Sequence, residues 1–238
     1  VWTFHDMWPF SGEFHQENGV SPRYTEPYTS TNLTPTPAGH DTYAIVWRRK
    51  QKINRQLEKQ GRPFTAVCPS EWLAEKARQS ALWNKRPLKV IPNGNNTAVF
   101  KPADQPAARS LLNLPPDKSV VCCGATFAGT DPNKCYRELI SALNHVRFND
   151  TDLHLAVFGM DEPTGANTPS FPFPVSYFGT LKDEISLAAL YAASDVMIVP
   201  SRQESFGLVP AEAMACGTPV VAFRASAIKE IMVHEETG

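Results

Sequence analysis

The chain has 238 residues, with 23 Lys+Arg against 24 Asp+Glu, a net charge of −1, and 42% hydrophobic and 20% charged residues. This composition belongs to a folded globular protein of one large domain or two small ones and not to a disordered tail. The even charge argues against a nucleic-acid surface driven by bulk charge, and no apolar run reaches the roughly 18 residues that a membrane-spanning helix needs.

Residues 1–5 (VWTFH) read as a strand. The chain opens on Val1 with that strand already under way, so it is read as a fragment of a longer protein. Residues 11–40 lack periodicity and are rich in Pro, Ser, Thr and Gly, the pattern of a long loop or lid. Residues 41–60 form a basic helical stretch carrying Ile45, Val46, Ile53 and Leu57. Strands are expected at 64–68 and 88–91, flanking a helix at 71–83 that opens after Ser70 as N-cap with Glu71 in its first turn. Residues 92–118 are irregular with one short helical patch. Strands at 119–123, 153–158, 175–178, 195–199 and 219–223 then alternate with helices at 134–147, 183–193 and 209–216, the last ending at Gly217. In 134–147 the apolar stripe is Leu139, Ile140, Leu143 and Val146.

The strands are short, continuously apolar and β-branched, as strands covered on both faces are. Strands joined by helices of this length call for parallel pairing and right-handed crossovers, hence an α/β fold. The expected division is a first Rossmann-like domain over 1–95, incomplete with three strands, a linker over 96–116, and a second such domain over 117–238. Five cysteines, an odd number without a C-x-x-C pair, argue against a disulfide framework or structural zinc and for a reducing compartment.

The richest segment runs from Pro200 to Val221, starting at the carboxyl end of a buried strand, the edge where open α/β sheets hold ligands. Glu204 and Glu212 lie eight positions apart, with Ser205, Phe206 and Gly207 as a turn between them and Pro210 in the first turn of the next helix. Backbone amides around Phe206 to Val209 would attract phosphate. Glu212, read as a first-turn residue, could accept hydrogen bonds from ribose hydroxyls, and Glu204 could contact a sugar. The competing reading makes both glutamates helix caps, favoured there by about 0.3–1 kcal/mol.

Lys134 follows a strand and the polar loop Thr130-Asp131-Pro132-Asn133, near a helix start where a lysine is unfavourable unless an anion compensates. It is either a diphosphate clamp or a solvated lysine. His5 closes the first strand and could bind a substrate hydroxyl, or be structural; Asp6 could cap the loop or orient His5. Asp150-Thr151-Asp152 has the D-x-D spacing of metal sites but precedes a strand. Gly124 to Gly129 has a P-loop's outer spacing, but Thr130 stands where a lysine is required. No H-x-x-x-H pair supports a metal, Ser70 and Ser201 lack a G-x-S-x-G elbow, and Trp72 and Trp83 read as core residues.

On these residues the sequence resembles a family 4 glycosyltransferase of the GT-B fold. The resemblance runs through Thr3 to Trp8, Pro69 to Leu73, Ile91-Pro92-Asn93-Gly94, Phe100-Lys101-Pro102, Phe158-Gly159, Tyr177-Phe178-Gly179, Leu190 to Asp195 and, most specifically, Glu204 to Val221. It implies two Rossmann-like domains with the first truncated, and retaining transfer of a hexosyl group from a nucleotide-diphosphate sugar, without a metal or other cofactor. The implied acceptor is a saccharide or lipid-linked molecule in surface polysaccharide biosynthesis. The implied setting is cytoplasmic, at the inner face of the plasma membrane, with peripheral membrane association and no nucleic-acid partner.

The matching positions assign Glu212 to the ribose and Glu204, Ser205, Phe206, Gly207 and Leu208 to the donor sugar and diphosphate. They assign Lys134 to the diphosphate and His5 to the donor sugar from the first domain; His5, Lys134 and Glu204 are the catalytic candidates. Departures are Ala128 where relatives carry Arg, Cys135 where Gly is usual, and Asn95-Asn96 in place of the usual pair. The alternatives are a sugar-nucleotide 2-epimerase on the same fold and a non-catalytic nucleotide-sugar-binding scaffold.

Overall fold

The computed structural model describes residues 1–238 except 17–22, 30, 34–38, 63, 125–130, 146–151 and 165–169. The chain divides into two compact units, Val1–Asn93 and Gly94–Gly238.

In the first unit, β1 (Trp2–Thr3), β2 (Ala66–Cys68) and β3 (Leu88–Val90) form a parallel sheet in the order β1-β2-β3. Trp2 stands opposite Ala66, and Ala66 opposite Leu88. Helix α1 spans Thr42–Lys59 and α2 spans Glu71–Gln79. Both begin where a side-chain oxygen meets an orphan amide: Asp41 Oδ1 accepts from Ala44 N at 3.0 Å, and Ser70 Oγ from Leu73 N at 3.2 Å. Helix α2 stops short of residue 83 because Ser80 turns extended, with ψ 143, and its hydroxyl caps Trp83 N instead. Phe4, Met7, Phe10, Leu73 and Trp83 form the core, with Trp72 packed against it.

The segment after β1 contains 3-10 turns at Trp8–Phe10 and Arg23–Thr25. Lys50, a buried residue of α1, ties this segment down. Its ammonium donates to the carbonyl oxygens of Trp8, Gly12 (2.8 Å) and Ser11 (3.3 Å) and lies 3.5 Å from the Trp8 ring centroid. Burial pushes its pKa down to about 8, against the nearby carboxylates of Asp6 and Glu13.

The second unit carries α3 (Gln105–Leu111), β4 (Ser119–Gly124), α4 (Tyr136–His145), β5 (Leu153–Phe158), β6 (Val175–Tyr177), α5 (Glu184–Ala193), β7 (Val196–Val199), α6 (Leu208–Ala215), β8 (Val220–Ala222) and α7 (Ile228–Ile231). Its five strands pair in parallel in the order β6-β5-β4-β7-β8. The sheet alternates with period two, so both faces are apolar and both are covered. Val120 and Cys122 face a core with Leu190, Tyr191 and Ala213; Val121 and Cys123 face another with Tyr136, Leu139 and Leu143. All five cysteines are buried and free. Burial pushes the Cys68 and Cys122 thiols up to about 12, which keeps them inert.

The expected linker over 96–116 is not a connector. Phe100, Ala108 and Leu114 enter the second core, and Arg109 is built into the sheet's lower edge. Its Nε donates to Ala193 O (2.9 Å), Nη1 to Pro116 O (3.1 Å) and Lys118 O (3.0 Å), and Nη2 to Asp195 Oδ2 (2.7 Å). The boundary therefore falls at Asn93, because a buried arginine needs all these acceptors from one unit. Arg109→Ala is expected to destabilise this unit by about 3 kcal/mol, since it strands buried acceptors and a carboxylate; the midpoint of urea unfolding measures it.

Candidate functional site

Strand β4 is where the chain order reverses. The sheet continues to β5 and β6 on one side and to β7 and β8 on the other, so a crevice opens at the carboxyl ends of β4 and β7. Gly124 at the end of β4, Phe158 at the end of β5 and Met197 to Ser201 at the end of β7 line a cavity of about 90 Å³ there. Lys134, Glu204 and Val209 complete the lining. A Cβ on Gly124 would sit 3.0 Å from the Phe158 ring, so glycine keeps this floor open.

The amino end of α6 faces the cavity through Val209. Its N-cap, Gly207, has φ +96, and a Cβ there would lie 3.0 Å from Pro210 and 3.1 Å from Ile231. No side chain caps this helix. The first intrahelical bond runs from Ala211 N to Gly207 O, and Pro210 has no N–H, so the amides of Leu208 and Val209 are the donors left at this end.

Lys134 ends a 3-10 turn, Pro132–Lys134, two residues before α4 begins. Its Nζ lies 2.7 Å from Glu204 Oε1, with the side chains 33% and 21% exposed. The compensating anion expected beside this lysine is thus Glu204 itself. Cys135 follows with φ +48, a left-handed conformation that explains why glycine suits this position.

Two residues that sequence reading passed over fix this pair. Asn133 Nδ2 donates to Gln203 O and its Oδ1 accepts from Gln203 N, both at 2.8 Å, while Arg202 N donates to Asn133 O at 3.0 Å. Ser226, buried with φ +51, accepts from Glu204 N at 2.9 Å, and Ala227 N donates to Glu204 O at 3.3 Å. Asn133 was visible only as one residue of a polar loop; its partners lie 70 positions away, and no local pattern announces them.

Glu212 departs from the expectation. Helix α6 starts at Leu208, which puts Glu212 in the second turn, and the first turn holds no acid. Its carboxylate is half-buried and accepts from the Tyr191 hydroxyl at 3.3 Å. Burial raises its pKa; the Tyr191 hydrogen bond opposes this and the neighbouring Glu184 adds to it. Asn95 and Asn96 serve this corner, donating to Ala211 O (3.3 Å) and Glu184 Oε2 (2.8 Å).

Of the candidates, Lys134 and Glu204 line one strand-end crevice, Ser205, Phe206 and Gly207 form the turn that follows, Leu208 opens α6, and Glu212 stands in the second turn of that helix. His5 belongs to the first unit, exposed just past β1. Asp6 does not orient it. Its Oδ1 caps Trp8 N at 2.8 Å and its Oδ2 pairs with His15 Nδ1 at 2.7 Å, because the chain turns back at Met7. Ala128, Thr130, Asp150 and Thr151 lie outside the described residues, and so does most of the Gly124 to Gly129 stretch.

The family described as glycosyl transferases group 1 matches residues 117–238, the span that carries β4 to α7 and this crevice. The chain belongs to that family. It is 32% identical over 161 residues to the D-inositol 3-phosphate glycosyltransferase of Segniliparus rotundus, covering 63% of this chain and 35% of that protein. It is 33% identical over 165 residues to the protein of the same name from Streptosporangium roseum, covering 63% and 37%. The chain thus spans about a third of the length of these relatives.

Among solved structures, the sucrose-phosphate synthase of Thermosynechococcus elongatus matches with a TM-score of 0.66 and 24% identity over 99% of this chain and 53% of that one. Anabaena HepE in complex with UDP and glucose matches with a TM-score of 0.60 and 21% identity over 98% and 55%. The fold is GT-B, built from Rossmann-like units with parallel sheets, as the sequence led us to expect. Among the described residues no helix is long and apolar enough to cross a membrane.

Two outcomes follow for the site's construction. Asn133→Ala removes two buried hydrogen bonds and should destabilise the second unit by about 2 kcal/mol in urea unfolding. Glu212→Gln keeps an acceptor for Tyr191 and relieves a buried charge. A carboxyl whose folded pKa is raised above the ordinary 4.5 weakens the fold as pH rises through that window. The variant should therefore melt higher than the parent at pH 7, and the gap should shrink as thermal scans are repeated toward pH 4.

Proposed function

We propose that this chain carries the donor-binding unit and part of the acceptor-side unit of a retaining glycosyltransferase that moves a hexosyl group from a nucleotide-diphosphate sugar to a saccharide or lipid-linked acceptor. The observation that carries this reading is that Lys134 and Val209, at the amino end of a helix without a side-chain cap, line one crevice at the strand ends. Breaking a sugar–phosphate bond builds negative charge on the leaving diphosphate. A fixed ammonium and two aligned amides, in a partly dry site, stabilise that charge as it grows. In this reading no metal takes part.

Glu204 then has two states. Without donor it neutralises Lys134 at 2.7 Å. With the diphosphate on Lys134, its carboxylate is released to accept hydrogen bonds from the sugar, while Ser226 and Ala227 hold its backbone in place. Glu212 takes the ribose hydroxyls, and Tyr191 keeps its carboxylate oriented. A role for His5 at the transferred sugar rests on the family resemblance. The surface-polysaccharide acceptor and the setting at the inner face of the plasma membrane rest on the family resemblance alone.

Calorimetry with UDP-, GDP- and ADP-sugars tests the reading, followed by product analysis with and without a saccharide acceptor, which separates transfer from 2-epimerisation. Lys134→Ala should lower turnover by about 10²- to 10³-fold, the usual effect of losing one transition-state donor. Glu212→Ala should raise the dissociation constant for the nucleotide. Unchanged rate and affinity in both variants would sink these roles.

A further inference from the structure

The first unit has a polar cavity of its own, far from the strand ends that hold ligands in such sheets. It lies between the carboxyl half of α1 and the turn that precedes β3, where α1 and α2 have run back to the amino edge of β1, β2 and β3. Its volume is about 220 Å³, which roughly seven waters would fill. Asn54, Arg55, Glu58, Asn84, Lys85 and Arg86 are among its lining residues.

The charges there do not cancel. Glu58 is taken by Arg86, Oε1 to Nη2 at 2.8 Å, and Arg86 Nε donates to Leu82 O at 3.1 Å. Arg55 and Lys85 remain as two exposed cations with no acidic partner among the described residues. Asn54 is the other telling residue. It is 5% exposed, on the core side of a helix whose other buried positions are Ala44, Trp47 and Lys50. An apolar side chain would serve packing better there. Its amide can make several hydrogen bonds, yet the side chain pairs with no described residue and lines the cavity.

We propose that this cavity binds the phosphate monoester of a small polyol. A phosphate dianion matches the two uncompensated cations, Arg55 by its planar fork and Lys85 as a point charge. The Asn54 and Asn84 amides, each both donor and acceptor, serve the ligand's hydroxyls. The site belongs wholly to the first unit and is independent of the donor crevice.

The test titrates inorganic phosphate and glucose 6-phosphate into the full chain by calorimetry. Saturable binding of the ester is expected, about tenfold tighter than that of inorganic phosphate and weakened by salt. An Arg55→Gln/Lys85→Gln double variant changes only exposed side chains, so it should melt like the parent and lose about tenfold or more in affinity. Lys134→Ala should leave this binding intact, which separates the cavity from the diphosphate site. Absence of saturable binding, equal affinity for the two probes, full affinity in the double variant, or loss of binding in Lys134→Ala would each overturn the proposal.

Discussion

The crevice of the second unit centres on one contact, the Lys134 ammonium against the Glu204 carboxylate at 2.7 Å. It joins the segment that follows β4 to the segment that follows β7, the two strands between which the sheet's topology reverses. A partly exposed ion pair of this kind is worth little by itself, so it does not hold these segments together. Backbone bonds do: Asn133 grips Gln203 with both ends of its amide, and Ser226 and Ala227 hold Glu204 by its own peptide groups. The division of labour matters chemically. The backbone is fixed by buried hydrogen bonds, while the charged tips meet at a weak contact and can exchange partners.

The surrounding architecture supplies what that pair lacks. Gly207 in the left-handed region ends the connecting turn with no room for a side chain, and Pro210 removes one amide from the helix start. Two amides remain, and Val209 sets them on the rim of the same cavity as Lys134. A covered sheet makes this possible: with apolar residues on both faces, β4 and β7 end together and deliver polar loops to a single edge. Glu212 is half-buried against Tyr191, a placement that weakens the fold at neutral pH and that packing alone does not require.

The first unit uses the opposite economy of charge. Lys50 is buried and its ammonium is spent on carbonyl oxygens of the segment following β1. A lysine in a basic helix thus acts as an internal anchor, whereas Arg55, one and a half turns on, faces a cavity. The periodic pattern of α1 marks Ile45 and Ile53 as apolar, yet both are exposed, and Lys50 and Asn54 lie inside. Loop carbonyls that need a donor override hydropathy at Lys50.

The sequence by itself determined the alternation of strands and helices, the parallel pairing and the turn at Gly207 that leads into α6. These follow from short-range rules: apolar periodicity, cap residues and the conformational freedom of glycine. Helix starts were legible to within a residue or two, and Glu212, read as a first-turn residue from a start at 209, opens the second turn because α6 begins one residue earlier, at Leu208. Only the tertiary structure decided that residues 94–116 belong to the second unit, that Glu204 is the counter-ion of Lys134, that Asn133 and Ser226 set their geometry, and that Asp6 turns to His15. Each of these depends on partners brought close by the fold from distant parts of the chain or by an irregular loop, and no periodic or capping rule reaches across those separations.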